Sequence, residues 1–372
     1  VAAGLLLAVG GLVFGMLWGS LGTRVAPTLA RLGTRLLGTP LDAKALTVRF
    51  GDEPSTFVVT LHQVRIGQTS GTFAHADEIA VTVALAAPLA AEPVISVVRV
   101  LRPQLNLAVR DPFKIVSSRA DRAEILALLG NASRIDVVEG SVLLPSPASA
   151  PLALEGLTGG VERVEGGAHA ALQGRADEGV VDVVGTMVGD DHDLTITIGG
   201  RGLDAARLPV VGTRVNGMAD LRLDVTTKGD DLRIDGRLVV RDGRLIGRGP
   251  VGLLRLGAEI RNVLASVAPA LAGDDLPFDD ARAIFAWRGG TWRFPRIFVT
   301  TRDVMAGGRA RMNARGEVSG DGTLRMPADL VTVLQPHLPL LGSFRDDGGA
   351  VTLPFALGGS WETPQLAESV RR

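Results

Sequence analysis

The stretch Leu221-Arg-Leu-Asp-Val-Thr-Thr-Lys-Gly-Asp-Asp231 decides the fold class. Leu221, Leu223 and Val225 alternate with Arg222 and Asp224, so a strand here carries one apolar and one charged face. Gly229-Asp230-Asp231 then supplies a turn. Period two with a single apolar face marks half-buried antiparallel strands. Outward from this stretch the same period returns at Leu194, Ile196 and Ile198, and Val240 lies in the strand that follows the turn. It appears earlier at Ile79, Val81 and Val83 and at Leu105 and Leu107, and near the carboxyl end at Val351, Leu353 and Phe355. Asp242-Gly243, Gly289-Gly290 and Gly320-Asp321-Gly322 read as further hairpin turns. The rule gives roughly fifteen strands. The expected fold is mainly β, an elongated antiparallel meander.

Composition sets limits on function. Apolar residues make up 46% of the 372 residues and aromatics 4%, with no tyrosine, so Val, Leu, Ile and Ala must build the core. The 39 basic and 40 acidic residues nearly cancel, without the basic excess of a nucleic-acid binder. Cysteine is absent, which excludes disulfides, thiolate metal sites and a cysteine nucleophile.

Residues 1–22 hold no charged side chain. As a helix they would span roughly 33 Å, enough for the hydrocarbon layer. Leu5, Leu6, Leu7, Leu12, Val13, Phe14 and Leu17 would face lipid, with Trp18 near one interface. The rival reading is a cleaved signal peptide, but the apolar run is long, and Arg24, Arg31 and Arg35 follow it instead of a small-residue cleavage site. Residues 23–40 read as a membrane-proximal helix or linker. Those arginines, counted alone, place the carboxyl-terminal bulk in the cytoplasm. A chain starting at Val1 leaves that count indecisive.

Residues 41–144 are expected to form an amino-terminal β-unit. The proline-rich 145–151 reads as a linker and 152–372 as a longer carboxyl-terminal β-domain. Two amphipathic helices interrupt the pattern, Asp121–Leu129 and Pro250 to about Ala268. The second places Leu253, Leu256, Ile260, Val263, Leu264 and Val267 on one face, as a lid on the sheet or a contact for membrane or partner.

No catalytic constellation emerges, and no enzyme is expected. Gly247-Arg-Gly249-Pro-Val-Gly252 matches a dinucleotide-binding glycine pattern. The residues before it pattern as an antiparallel hairpin, however, and Pro250 lacks a useful N–H. No cofactor is expected. Asp190-Asp191-His192-Asp193 and the pairs Asp274-Asp275 and Asp279-Asp280 sit in turn contexts without metal-loop spacing. His62, His75, His169, His192 and His337 are scattered.

The order of features resembles the AsmA family and its larger TamB-type relatives. An apolar amino-terminal helix precedes Leu32-Gly-Thr-Arg-Leu-Leu-Gly and then β-structure. Ala76-Asp-Glu-Ile-Ala-Val-Thr-Val and Glu92-Pro-Val-Ile-Ser-Val-Val-Arg-Val-Leu-Arg-Pro-Gln-Leu-Asn-Leu are similar to a strand pair of that family. Gly236-Arg-Leu-Val-Val-Arg-Asp-Gly, Ala283-Ile-Phe-Ala-Trp-Arg-Gly-Gly-Thr-Trp and Gly307-Gly-Arg-Ala-Arg-Met-Asn resemble its carboxyl-terminal segments. The middle is short for the family, and Arg110-Asp-Pro lacks the Gly and Trp that usually follow the first β-unit.

The resemblance implies a single-pass bacterial inner-membrane protein with its bulk in the periplasm. It also implies a curved sheet whose apolar faces line a groove for phospholipid or another acyl-chain lipid, and a role in lipid movement or outer-membrane maintenance. The period itself fits a closed β-core equally well. A non-catalytic assembly scaffold, binding envelope proteins through open sheet edges, is the alternative.

Overall fold

The computed structural model describes residues 41–52, 56–66, 74–84, 94–106, 132–144, 151–189, 193–208, 214–247, 258–360 and 364–367. The expected anchor residues, from Leu5 to Trp18, lie outside these, as do the Asp121–Leu129 helix, Leu107, the Asp190–His192 acidic run and most of the proline-rich linker. The protein is mainly β, a long antiparallel meander. Its strands are β1 (Leu41–Asp42), β2 (Ala45–Phe50), β3 (Thr56–Ile66), β4 (Ala74–Ala84), β5 (Val94–Leu101), β6 (Gln104–Asn106), β7 (Arg134–Leu144), β8 (Leu152–Val164), β9 (Gly167–Ala176), β10 (Gly179–Val188), β11 (Asp193–Asp204), β12 (Val215–Lys228), β13 (Asp231–Leu245), β14 (Leu276–Arg288), β15 (Thr291–Thr300), β16 (Met305–Met312), β17 (Val318–Met326), β18 (Val351–Gly359) and β19 (Pro364–Ala367). Helices α1 (Ala258–Val267) and α2 (Pro269–Ala272) separate β13 from β14. Helix α3 (Ala328–Leu334) and a 3₁₀ turn (Pro339–Phe344) separate β17 from β18.

The chain divides into two compact units that interleave in sequence. One comprises Val1–Leu144, Ala153–Gly174 and Val184–Asp193, the other Pro145–Leu152, Arg175–Val183 and Leu194–Arg372.

In the first unit β2, β3, β4 and β5 pair antiparallel in order. Strands β5 and β6 then run parallel to β7, a departure from the all-antiparallel expectation. A parallel pair needs a long crossover in place of a hairpin, and the chain between Asn106 and Arg134 supplies the length. Gln63 in β3, Arg102 between β5 and β6, and Glu139 in β7 adopt left-handed φ of 53°, 48° and 55°. The Gln63 amide donates to Asp77 (3.3 Å), Asp77 pairs with Arg102 (2.9 Å), and the Arg102 N–H donates to the Val138 carbonyl (2.8 Å). The buried positions along β3 are Thr56, Thr60 and Val64, the last 0% exposed, and the register with β4 is the same on both sides of Gln63.

In the second unit every strand from β11 to β19 pairs antiparallel with the next. Lys228 pairs with Asp231 across Gly229-Asp230, and Arg288 with Thr291 across Gly289-Gly290, so these expected hairpins form. Gly289 and Gly290 both have positive φ, as a tight two-residue hairpin turn requires.

Two expected turns are strand interior instead. Asp242-Gly243 lies inside β13, where Asp242 takes φ 49° and offsets the strand rather than reversing it. Gly320-Asp321-Gly322 lies inside β17. A Cβ on Gly322 would stand 2.5 Å from the Gly307 carbonyl oxygen and 2.5 Å from the Phe355 ring, so the glycine serves close approach.

One core cluster of this unit gathers where the helices meet the sheet. Leu264, Ala268, Leu271, Leu330, Val331, Leu334 and Leu341 pack on Val304, Met326 and Val351. Helix α1 thus acts as the expected lid, its residues before Ala258 lying outside the described set. Val267, expected on the packed face, is 41% exposed. The helix ends there and Ala268 leaves helical geometry (φ −143°, ψ 67°), placing Ala268 in the core instead.

Candidate functional site

Register places the apolar alternation of the second unit on one continuous face. Ile198 stands opposite Leu223, which stands opposite Gly236, which stands opposite Phe285. Ile196 leads likewise to Val225, Ile234 and Trp287, and Leu221 to Leu238 and Ala283. The row continues through Ile297 and Gly308 to Gly322 and Phe355. Val240 stands between Ala219 and Ala281, and Leu353 opposite Leu324. Leu194 precedes Ile196 by one period, its N–H bonded to Thr227 Oγ1 at 3.0 Å.

Burial varies along this face. Val351 is 0% exposed beneath the helical cap, and Val240 and Phe285 are 2% and 1% exposed. Leu194, Ile196, Ile198, Leu221, Leu223, Val225, Leu353 and Phe355 are only half-buried. Among the described residues the β11, β12 and β18 positions are thus the more open ones, while β13 is buried in the middle of the face, with Ile234 at 3% and Leu238 at 7% exposed. A cavity of about 160 Å³ lies there, its wall including Leu238, Val240, Phe285, Phe294, Ile297 and Met312. Phe285 and Phe294 stand in this wall with ring centroids 6.2 Å apart, and Trp292 packs on both at 5.9 and 6.5 Å.

The sequence reading missed these aromatics as wall residues. Their signal was the spacing of Phe285 and Trp287, which matches that of Leu221 and Leu223. It also missed the floor. Gly236, Gly308, Gly320 and Gly322 take apolar-face register positions, and a Cβ on Gly236 would meet the Phe285 ring at 2.4 Å.

In the first unit, Ile79 stands between Leu61 and Val100, Val81 between Val59 and Val98, and Val83 opposite Phe57. Leu105 stands opposite Ala74 and Val142. These form a second apolar set, described apart from the first.

The opposite face of the second unit is charged. Asp220 pairs with Arg241 (2.8 Å), Asp224 with Arg222 (3.5 Å), Asp231 with Arg288 (2.8 Å), Asp235 with Arg233 (4.0 Å), Asp280 with Arg282 (2.6 Å) and Asp321 with Arg309 (2.9 Å). Exposed pairs of this kind contribute about 0–1 kcal/mol each.

A polar recess of about 560 Å³ in the first unit is lined by Arg99, Arg134, Asp136, Thr158, Glu162 and His169. Arg134 donates to Asp136 at 2.6 Å and to Glu162 at 3.0 Å. The Asp136 hydrogen bond, then the charges of Asp136 and Glu162, raise its pKa above the ordinary arginine value. Its charge is thus matched by two carboxylates. Among the described residues no group of three or more His, Asp or Glu is placed to hold a metal. Gly247 has φ 61° and donates its N–H to Asp275 at 2.8 Å, so the start of the glycine-rich string is used within the protein. Asp275 also pairs with Arg244 (3.6 Å).

Among the described residues no helix is long and apolar enough to cross a membrane. No family model matches the chain, and neither do curated proteins or solved structures.

Proposed function

We propose that this protein binds acyl-chain lipid, phospholipid in the first instance, on the apolar face of its second unit. In this reading it is anchored by residues 1–22 in a bacterial inner membrane with its bulk in the periplasm. It moves lipid between envelope membranes, or maintains the outer membrane, without chemistry. The sequence likeness to the AsmA family supports location and role. The half-buried apolar face carries the binding.

That face runs from β11 to β18 with mostly hydrocarbon side chains or glycine at its alternate positions, buried along β13 and under the cap and half-buried on β11, β12 and β18. A sliding acyl chain needs no polar recognition. Each buried CH₂ contributes about 0.8 kcal/mol, so a few methylenes on this face give useful affinity while the headgroup stays in water.

Mass spectrometry of organic extracts from gently purified protein tests the reading. Stoichiometric phospholipid is expected, and a lipid-free particle would refute it. Leu223→Asp is the companion variant. Leu223 is half-buried, so its carboxylate can stay hydrated: the protein should fold and lose lipid. Failure to fold would mean a closed core, and unchanged lipid would remove this strand from the path. Val351→Asp, beneath the cap, should unfold the unit in either case, because an unpaired buried carboxylate costs several kcal/mol.

A further inference from the structure

We propose that the charged face of the second unit, opposite the apolar one, docks on an anionic phospholipid bilayer surface. Asp220, Asp224, Asp231, Asp235, Asp280 and Asp321 on this face are taken up in the ion pairs described above. Arg237, Arg293, Arg296 and Arg311 remain, all exposed and none with an acidic side chain within salt-bridge distance among the described residues. Their placement costs stability. Arg237 stands directly opposite Arg222, and Arg293 directly opposite Arg311. Like charges facing each other across a strand pair are destabilising. A whole-chain charge of −1 makes this local excess a matter of position rather than composition.

Two apolar side chains sit among the guanidinium groups. Ile284 lies between Arg237 and Arg296 in register and is 43% exposed; Phe298, opposite Arg282, is 36% exposed. Guanidinium forks match phosphate oxygens two at a time. Exposed apolar side chains between them can enter the boundary between headgroup and acyl chain. An acidic polypeptide would satisfy the arginines but gives Ile284 and Phe298 no particular role, so the bilayer is the better fit. This inference stands independently of lipid binding on the apolar face.

The test uses the full chain held in phosphatidylcholine nanodiscs, titrated with vesicles of phosphatidylcholine alone or mixed with phosphatidylglycerol. Each arginine near an anionic surface strengthens binding about fivefold. The double variants Arg237→Gln/Arg296→Gln and Arg293→Gln/Arg311→Gln should each weaken binding to the mixed vesicles about 25-fold. Neither should alter binding to neutral vesicles or lower the unfolding temperature. The corresponding lysine variants should retain most of the affinity, and added salt should weaken it throughout. Unchanged binding of the glutamine variants overturns the proposal, as does an equal loss on neutral vesicles. Tight binding of polyglutamate without binding to mixed vesicles also overturns it, and assigns the face to an acidic polypeptide.

Discussion

Gly236→Ala is the most direct probe of how the apolar face is built. An added Cβ would stand 2.4 Å from two carbons of the Phe285 ring and 3.0 Å from a Leu223 methyl. Phe285 is 1% exposed, so its ring cannot swing into solvent. Overpacking of this kind costs about 1–3 kcal/mol. Alanine regains about 0.5–1 kcal/mol over glycine in a strand interior. The net loss is therefore about 1–2 kcal/mol. At about 2–4 °C per kcal/mol for a unit of this size, the unfolding temperature should fall by about 2–8 °C. Thermal unfolding followed by circular dichroism reads this directly, with Phe285→Leu and the double variant completing a cycle. Removing the ring should relieve the clash, so Gly236→Ala should cost about 1 kcal/mol less in the Phe285→Leu background. A neutral or stabilising Gly236→Ala, or a penalty unchanged by Phe285→Leu, would refute the close contact.

Three further outcomes are expected. Thr301 is 5% exposed, and its hydroxyl accepts from the Asp303 and Val304 N–H groups at 3.2 and 2.9 Å, so Thr301→Val should destabilise by about 1–3 kcal/mol in denaturant titration. Leu264→Ala, in the helical cap, should cost about 2–5 kcal/mol, and a smaller loss would show the cap closing over the cavity. Deleting residues 1–22 should move the protein from the membrane fraction to the soluble fraction, and retention after a high-salt wash would reveal another anchor.

Strand period was legible because side chains alternate strictly along a strand. Leu221, Leu223 and Val225 and their counterparts in β11 and β18 therefore took their common face from sequence alone. The turns were half legible. Gly229 and Gly289-Gly290 reverse the chain, but Asp242-Gly243 and Gly320-Asp321-Gly322 do not. Glycine also serves where a ring or carbonyl of the next strand leaves no room for Cβ, and that need comes from a partner distant in sequence. The parallel placement of β7 beside β5 was hidden for the same reason: nothing local to Arg134–Leu144 records which strand it will meet. The cap was readable as an amphipathic helix. Which end of the sheet it covers depends on Val304, Met326 and Val351, which converge only in three dimensions. The unmatched arginines were invisible to a net charge, since each depends on which aspartate its neighbours have already taken.

Among the described residues each strand from β11 to β19 pairs in turn with its sequence neighbour, and this has a mechanical consequence. Tension applied at the carboxyl end loads β19 first, then β18, peeling one ladder at a time like a zipper instead of shearing the whole sheet. The step between β18 and β17 also has to tear Val351 and Met326 from α3 and the 3₁₀ turn, and the step at β14 and β13 has to lift α1 and α2. Single-molecule extension should thus show small, even rips punctuated by two larger ones, and the two helical insertions would act as stops along the zipper.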